Sequence, residues 1–184
     1  MTPERAAYHR LMLLAGLQEE FERELDFAME TEDPITSPIL DLAFCMSNLN
    51  QTVSVLYNYT LDYSVDEQHV YDMIMAELRR QYASKKLNAR EVCEVLSKIQ
   101  RISDFGEPWI ALYTYLYEYE LLDEGMISQE VFETSFESVF LHGEQIDVWA
   151  LQKEHNQKKK KSLLDFFRKQ NERSAFHDRS KGTI

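Results

Sequence analysis

Glycine is scarce in this chain, and its placement is exclusionary. Five glycines, at positions 16, 106, 125, 143 and 182, are too few and too dispersed to form GxGxxG or GxxxxGK[ST], so phosphate-cradling loops of those types are absent. There is no GxSxG elbow and no cysteine beside a histidine to make a reactive thiol. The two cysteines, Cys45 and Cys93, lie in separate apolar patterns without a CxxC partner, which excludes a disulfide framework and fits reduced core thiols. Apolar runs last only a few residues, against the roughly 20 needed to cross a bilayer. The opening MTPERAAYHR has no basic start followed by an apolar block. The reading therefore expects neither a span nor an export signal, and a cytoplasmic protein in which Asn50-Gln51-Thr52 and Asn58-Tyr59-Thr60 are chance glycosylation matches.

Histidine is thin as well. His9, His69, His142, His155 and His177 are scattered, and Asp66 with His69 is the one acid-x-x-His pair, where a di-iron bundle needs two. Residues 120–132 have the outline of a calcium loop, but Leu122 and Val131 stand where oxygen ligands belong. No catalytic residue, cofactor or metal is assigned. Converging carboxylates in an enzyme or metal protein remain an alternative that a sequence with 32 acids leaves open.

What the chain has is acid. Residues 1–151 carry 28 Asp and Glu against 10 Lys and Arg, a net of -18, whereas residues 152–184 carry 4 against 10, a net of +6. An acidic body repels nucleic acid and anionic membrane and attracts basic proteins by long-range steering. The expected organisation is one acidic helical domain over 1–151 and a basic, flexible tail over 152–184.

Hydrophobic periodicity is helical almost throughout. Thr2-Pro3-Glu4 reads as a helix start, and Leu11, Leu14, Leu17 or Gln18, Phe21, Leu25 and Ala28 keep one face of a first helix running to about Glu30, with a bend at Gly16. Ser37-Pro38, Ser64 with Glu67, Asn88 with Glu91, and Ser128 read as further starts; His142-Gly143 reads as a stop. Between Val53 and Val65 the apolar residues alternate as in a strand, yet Leu49, Val53, Leu56, Tyr57 and Thr60 also fit a helix. A lone strand would lack a partner, so helix is preferred. Pro108 to Asp123 collects Trp109 and Tyr113, Tyr115, Tyr117 and Tyr119 into one helix expected to be buried on most sides and to organise the core. The last helix of the body carries Ile146, Val148, Trp149 and Leu151 before running into charge. The fold expected is all-α: a single-domain bundle of about six to seven mostly antiparallel amphipathic helices with a basic C-terminal tail.

The function expected is a non-enzymatic interaction module that binds a basic protein partner, as an inhibitor, immunity-type protein or DNA mimic does. Its acidic face is assigned to Glu19, Glu20, Glu22, Asp123 and Glu124, aided by protruding tyrosines. The aromatic content would serve a homodimer as readily as a core.

In the tail, Lys158–Lys161 precede Ser162-Leu163-Leu164-Asp165-Phe166-Phe167, an apolar plug beside basic residues. With Leu163, Phe166 and Phe167 at matching positions and Lys160 where a glutamine belongs, it resembles the sliding-clamp-binding peptide of replication and repair proteins. A bacterial version of that peptide would use Leu164, Phe166 and Phe167. The resemblance implies an accessory protein tethered to a sliding clamp through residues 160–167.

Overall fold

The computed structural model describes residues 1–61, 63–103 and 112–179, with side chains described as far as 165. Every regular element among them is helical. They are α1 (Pro3–Ala15), α2 (Glu19–Thr31), α3 (Ser37–Cys45), α4 (Leu49–Thr60), α5 (Glu67–Ala83), α6 (Ala89–Ile102), α7 (Leu112–Asp123), α8 (Gln129–Glu137) with a π-helical continuation Ser138–His142, and α9 (Val148–Arg179). Among the described residues no helix is long and apolar enough to cross a membrane.

The starts follow local chemistry. Thr2 accepts from the Arg5 amide at 3.2 Å, with Pro3 in the first turn where no amide partner is needed. At α6 both halves of a capping box form, Glu91 N–H to Asn88 Oδ1 at 3.0 Å and Asn88 N–H to Glu91 Oε2 at 2.8 Å. Ser128 caps α8. At α5 the cap is Asp66, which accepts from the His69 amide at 3.0 Å, in place of the expected Ser64. At α3 the cap is Thr36, one residue before Ser37.

The helix count differs from the six to seven expected, since nine α-helices lie among the described residues. One extra break falls at Gly16, where a bend was expected. Its φ of 97° is left-handed, its N–H bonds Leu13 O, and the Leu17 N–H bonds Met12 O, which terminates α1 and lets α2 leave in a new direction. At the other end, α9 continues in helix through Arg179, where the sequence reading stops near Leu151.

The chain groups into two compact units, Met1–Tyr119 and Glu120–Ile184. In the first, α1 packs against α4, α5 and α6, while α3 packs on α2 and α4. Eight of the thirteen residues of α1 are buried, from Ala6 to Ala15, so α1 organises this unit. The core around it includes Ala6, Leu13, Phe21, Leu25, Ile39, Leu42 and Leu56, each large aliphatic side chain contributing about 1.5–3 kcal/mol by leaving water. The helix preferred over the strand in this stretch is observed as far as Thr60, where α4 ends: it buries Thr52 and Leu56 one turn apart.

The expectation for the aromatic stretch is overturned. Leu112 and Leu116 are buried on α7, but Tyr113 and Tyr117 are 63% and 52% exposed. The buried residues Leu112, Leu116 and Leu121 form one stripe, and Tyr113 and Tyr117 lie off it. Pro108, Trp109 and the expected loop at 104–106 lie outside the described residues.

In the second unit, α8 packs against α9. Phe136 stacks on Phe140 with centroids 4.8 Å apart, and Phe132 packs tilted against Phe136 at 5.7 Å. Gly143, φ 71°, closes the π-helical turn at the expected stop. Gln152 Oε1 accepts from the Ser128 amide at 2.8 Å, tying α9 to the start of α8.

Candidate functional site

The densest polar chemistry lies between α1 and α2. Arg5, Tyr8 and His9 project from one face of α1, being three and four residues apart, and Glu20 and Glu24 project from one face of α2. Arg5 donates through Nε to Glu24 Oε2 at 2.8 Å and through Nη2 to Glu20 Oε1 at 2.9 Å, with a further short contact to Glu24 Oε1. Its guanidinium lies 4.5 Å from the Tyr8 ring centroid, while the Tyr8 hydroxyl donates to Glu20.

His9 is fully buried, edge-on to Tyr8 and Phe21 at 5.1 and 5.3 Å. Its Nε2 lies 2.8 Å from Glu24 Oε2, and its Nδ1 has no hydrogen-bond partner. Burial holds the imidazole pKa below its ordinary value and outweighs the pull of Glu24. A neutral ring facing a carboxylate carries its proton on Nε2, which leaves Nδ1 a bare acceptor. Glu24 is partly buried, which favours its neutral form, but Arg5 and His9 more than offset this and hold the carboxyl below the usual range. Burial raises the Tyr8 hydroxyl, with Glu20 adding to the shift, so it stays protonated.

Beside this network opens a cleft of about 550 Å³ bounded by α1, the start of α2 and the end of α5. His9, Glu19, Glu20 and Glu22 lie along it, with Gln81 and Lys86 on the far side. Lys86 Nζ pairs with Glu19 Oε2 at 2.8 Å, and Gln81 donates to Glu77 at 2.6 Å. Glu77, almost fully buried, also accepts from Arg80 Nε at 2.7 Å and Arg80 Nη2 at 2.5 Å.

The three acids assigned on α2 thus have different situations. Glu20 is engaged inside the fold by Arg5 and Tyr8, Glu19 is exposed but paired with Lys86, and Glu22 is exposed. Asp123 and Glu124 are both exposed and belong to the second unit. There, all eight acids of residues 120–151 are exposed, and that span contains no Lys or Arg. Glu130, Glu133 and Glu137 line a further shallow cleft with His142, and His155 Nδ1 lies 3.1 Å from Glu130. Among the described residues no group of three His, Cys, Asp or Glu side chains could hold a metal ion.

In the tail motif, Lys160, Leu163 and Leu164 are exposed on α9, while the side chains of Phe166 and Phe167 lie outside the described residues. In the sequence His9 is one of five scattered histidines. Arg5, Tyr8 and His9 on one helical stripe, opposite Glu20 and Glu24 one turn apart, were the available signal.

No protein-family model, no curated protein and no solved structure matches the chain.

Proposed function

We propose that the protein is an acidic interaction module that captures a basic protein partner, as an inhibitor or a nucleic-acid mimic does, working in the cytoplasm and without turnover. What carries the reading is the span 120–151, whose eight acids are all exposed with no Lys or Arg among them. Charge of one sign displayed in this way raises the encounter rate with a cationic surface and discourages nucleic acid and anionic lipid. Exposed Tyr113 and Tyr117 on the first unit offer rigid amphipathic contact area of the kind that anchors interfaces.

The test is capture on immobilised full-length protein from native extract over a salt series, with the retained proteins identified by mass. A basic partner released by raised salt is expected, because screening shortens the reach of exposed charges to about 3 Å at 1 M. Retention of neutral or acidic proteins alone, indifferent to salt, would refute the reading.

A second reading has one observation in its favour. Leu163 and Leu164 are 52% and 62% exposed on α9, which suits a docking peptide better than a segment packed into a core. Under this reading residues 160–167 tether the protein to a sliding clamp. Phe166→Ala with Phe167→Ala would abolish clamp binding without unfolding the chain; binding that survives both changes rules the tether out.

A further inference from the structure

Helices α3 and α4 form a hairpin joined by the short link from Met46 to Asn48, and they pack on each other. Their inward residues, Ile39, Leu42 and Leu56, belong to the core of the first unit. Their outward side is unlike the rest of the surface. Residues 34–61 carry a single charge, Asp41, in 28 positions, where residues 1–151 carry 38 in 151. Phe44 stands on this side at 87% exposure, the most exposed large apolar side chain among the described residues, with Leu40 one turn before it. Beside Phe44 lies a shallow hollow of about 570 Å³ between the two helices, whose far wall is made by the exposed Asn50, Gln51, Ser54 and Asn58 of α4.

A second copy of this chain answers shape, hydrogen bonding and charge together. An apolar knob beside a hollow on one face is self-complementary, because a two-fold axis between them seats each knob in the opposite hollow. The carboxamides of Asn50, Gln51 and Asn58 both donate and accept, so they can pair with their own counterparts across such an axis, as carboxylates or ammoniums cannot. Asp41, the one charge at the hollow, is an acceptor that a carboxamide of the other copy can serve. Copies of a chain with a net charge of -12 repel wherever acids face acids, and a neutral face is where they can meet; a basic partner finds almost nothing to pair with there. We infer that the outer face of the hairpin of α3 and α4 is the interface of a homodimer, in which Phe44 of each copy fills the hollow of the other. This goes beyond the basic-partner reading and stands independently of it.

Sedimentation equilibrium of the full-length protein, up to about 100 μM and at about 0.05 and about 0.5 M salt, reads the mass directly. A rise from 21.8 kDa toward twice that mass is expected. Association should be tighter at the higher salt, because screening relieves the repulsion between two acidic copies. Salt thus acts on the dimer in the opposite sense to its action on capture of a basic protein. Phe44→Glu and, on the far wall of the hollow, Ser54→Glu each set like charges across the two-fold axis and should weaken the dimer about tenfold or more. Both positions are exposed, so the fold, followed by circular dichroism, is expected to stay. Tyr117→Glu, at an exposed aromatic on α7, should leave the dimer unchanged. A mass that stays at 21.8 kDa under every condition overturns the inference and leaves the face to a different occupant. A dimer that survives both Phe44→Glu and Ser54→Glu, that is lost with Tyr117→Glu, or that weakens with salt, as a basic tail bound to an acidic body would, overturns it as well.

Discussion

At the scale of single residues, the fold depends on a polar cluster that hydrophobic patterning does not reveal. His9 is held neutral by burial, although Glu24 lies 2.8 Å from its Nε2. The unfolded chain takes up a proton near the ordinary value of 6.5, whereas the folded chain refuses it until lower pH. Between those two values the unfolded state binds more protons, so stability falls as pH drops through 6.5. Glu24 and Glu77, both held below the ordinary carboxyl value of 4.5, keep their contribution until the solution is more acidic than that. Between about pH 7.5 and 5.5 the contribution of His9 is read as the difference between the native sequence and a variant without it. Urea unfolding at the two ends should show a loss for the native sequence that is about 1 kcal/mol smaller in His9→Gln, which keeps a donor toward Glu24 but does not titrate. An identical loss in both proteins would mean that His9 is not held neutral. The ion pair beside it is testable by a double-mutant cycle. Arg5→Met and Glu24→Gln should each cost about 2 kcal/mol, and together less than the sum by about 1 kcal/mol, because each leaves the other partner stranded in a half-buried site. None of this was assigned from the sequence. Periodicity marks which residues face inward but assigns a buried histidine no partner, since Arg5 and Glu24 are brought together only when α2 folds back on α1.

At the scale of elements, sequence reasoning succeeds where a signal is local and fails where it is not. The reciprocal cap of Asn88 and Glu91 and the stop at Gly143 are each set by a few adjacent residues and were legible. Over α4, strand-like alternation competes with helical spacing. The helix forms because Leu56 and Thr52 bury one turn apart, while Leu61 of the alternating set and Tyr57, which fits both spacings, are left exposed. Gly16 shows the limit. A glycine within a continuous apolar stripe reads as a bend, yet the left-handed φ of 97° makes it a terminator. A methyl group there would meet nothing within 4 Å, so Gly16→Ala tests the backbone alone. It should destabilise by about 1 kcal/mol and lower the melting temperature by about 3 °C in a circular dichroism melt. An unchanged midpoint would show that α1 and α2 tolerate a right-handed junction. The aromatic helix fails for the opposite reason: tyrosine has a large apolar body and a polar tip, and composition alone does not say whether the ring is buried.

At the scale of the whole molecule, charge is the property most directly legible and the one with the most functional content. The acids of the first unit are partly consumed by the fold, as Glu20, Glu24 and Glu77 are by arginine, tyrosine and histidine partners. Those of residues 120–151 are all exposed, with no Lys or Arg in the span. The two groups should therefore respond differently to neutralisation. Changing Glu130, Glu133 and Glu137 together to glutamine should leave stability within about 0.5 kcal/mol, as for ordinary surface positions. It should slow association with a basic partner several-fold at low salt, leaving dissociation nearly unchanged, because exposed charge acts mainly on encounter. At about 1 M salt the native and substituted proteins should associate at the same rate, since screening removes the field in both. Stopped-flow association rates across a salt series measure this directly. Rates that coincide at every salt concentration would place the acidic span outside the binding process, and a dissociation rate raised by the substitution would make these glutamates contact residues and not merely a source of field.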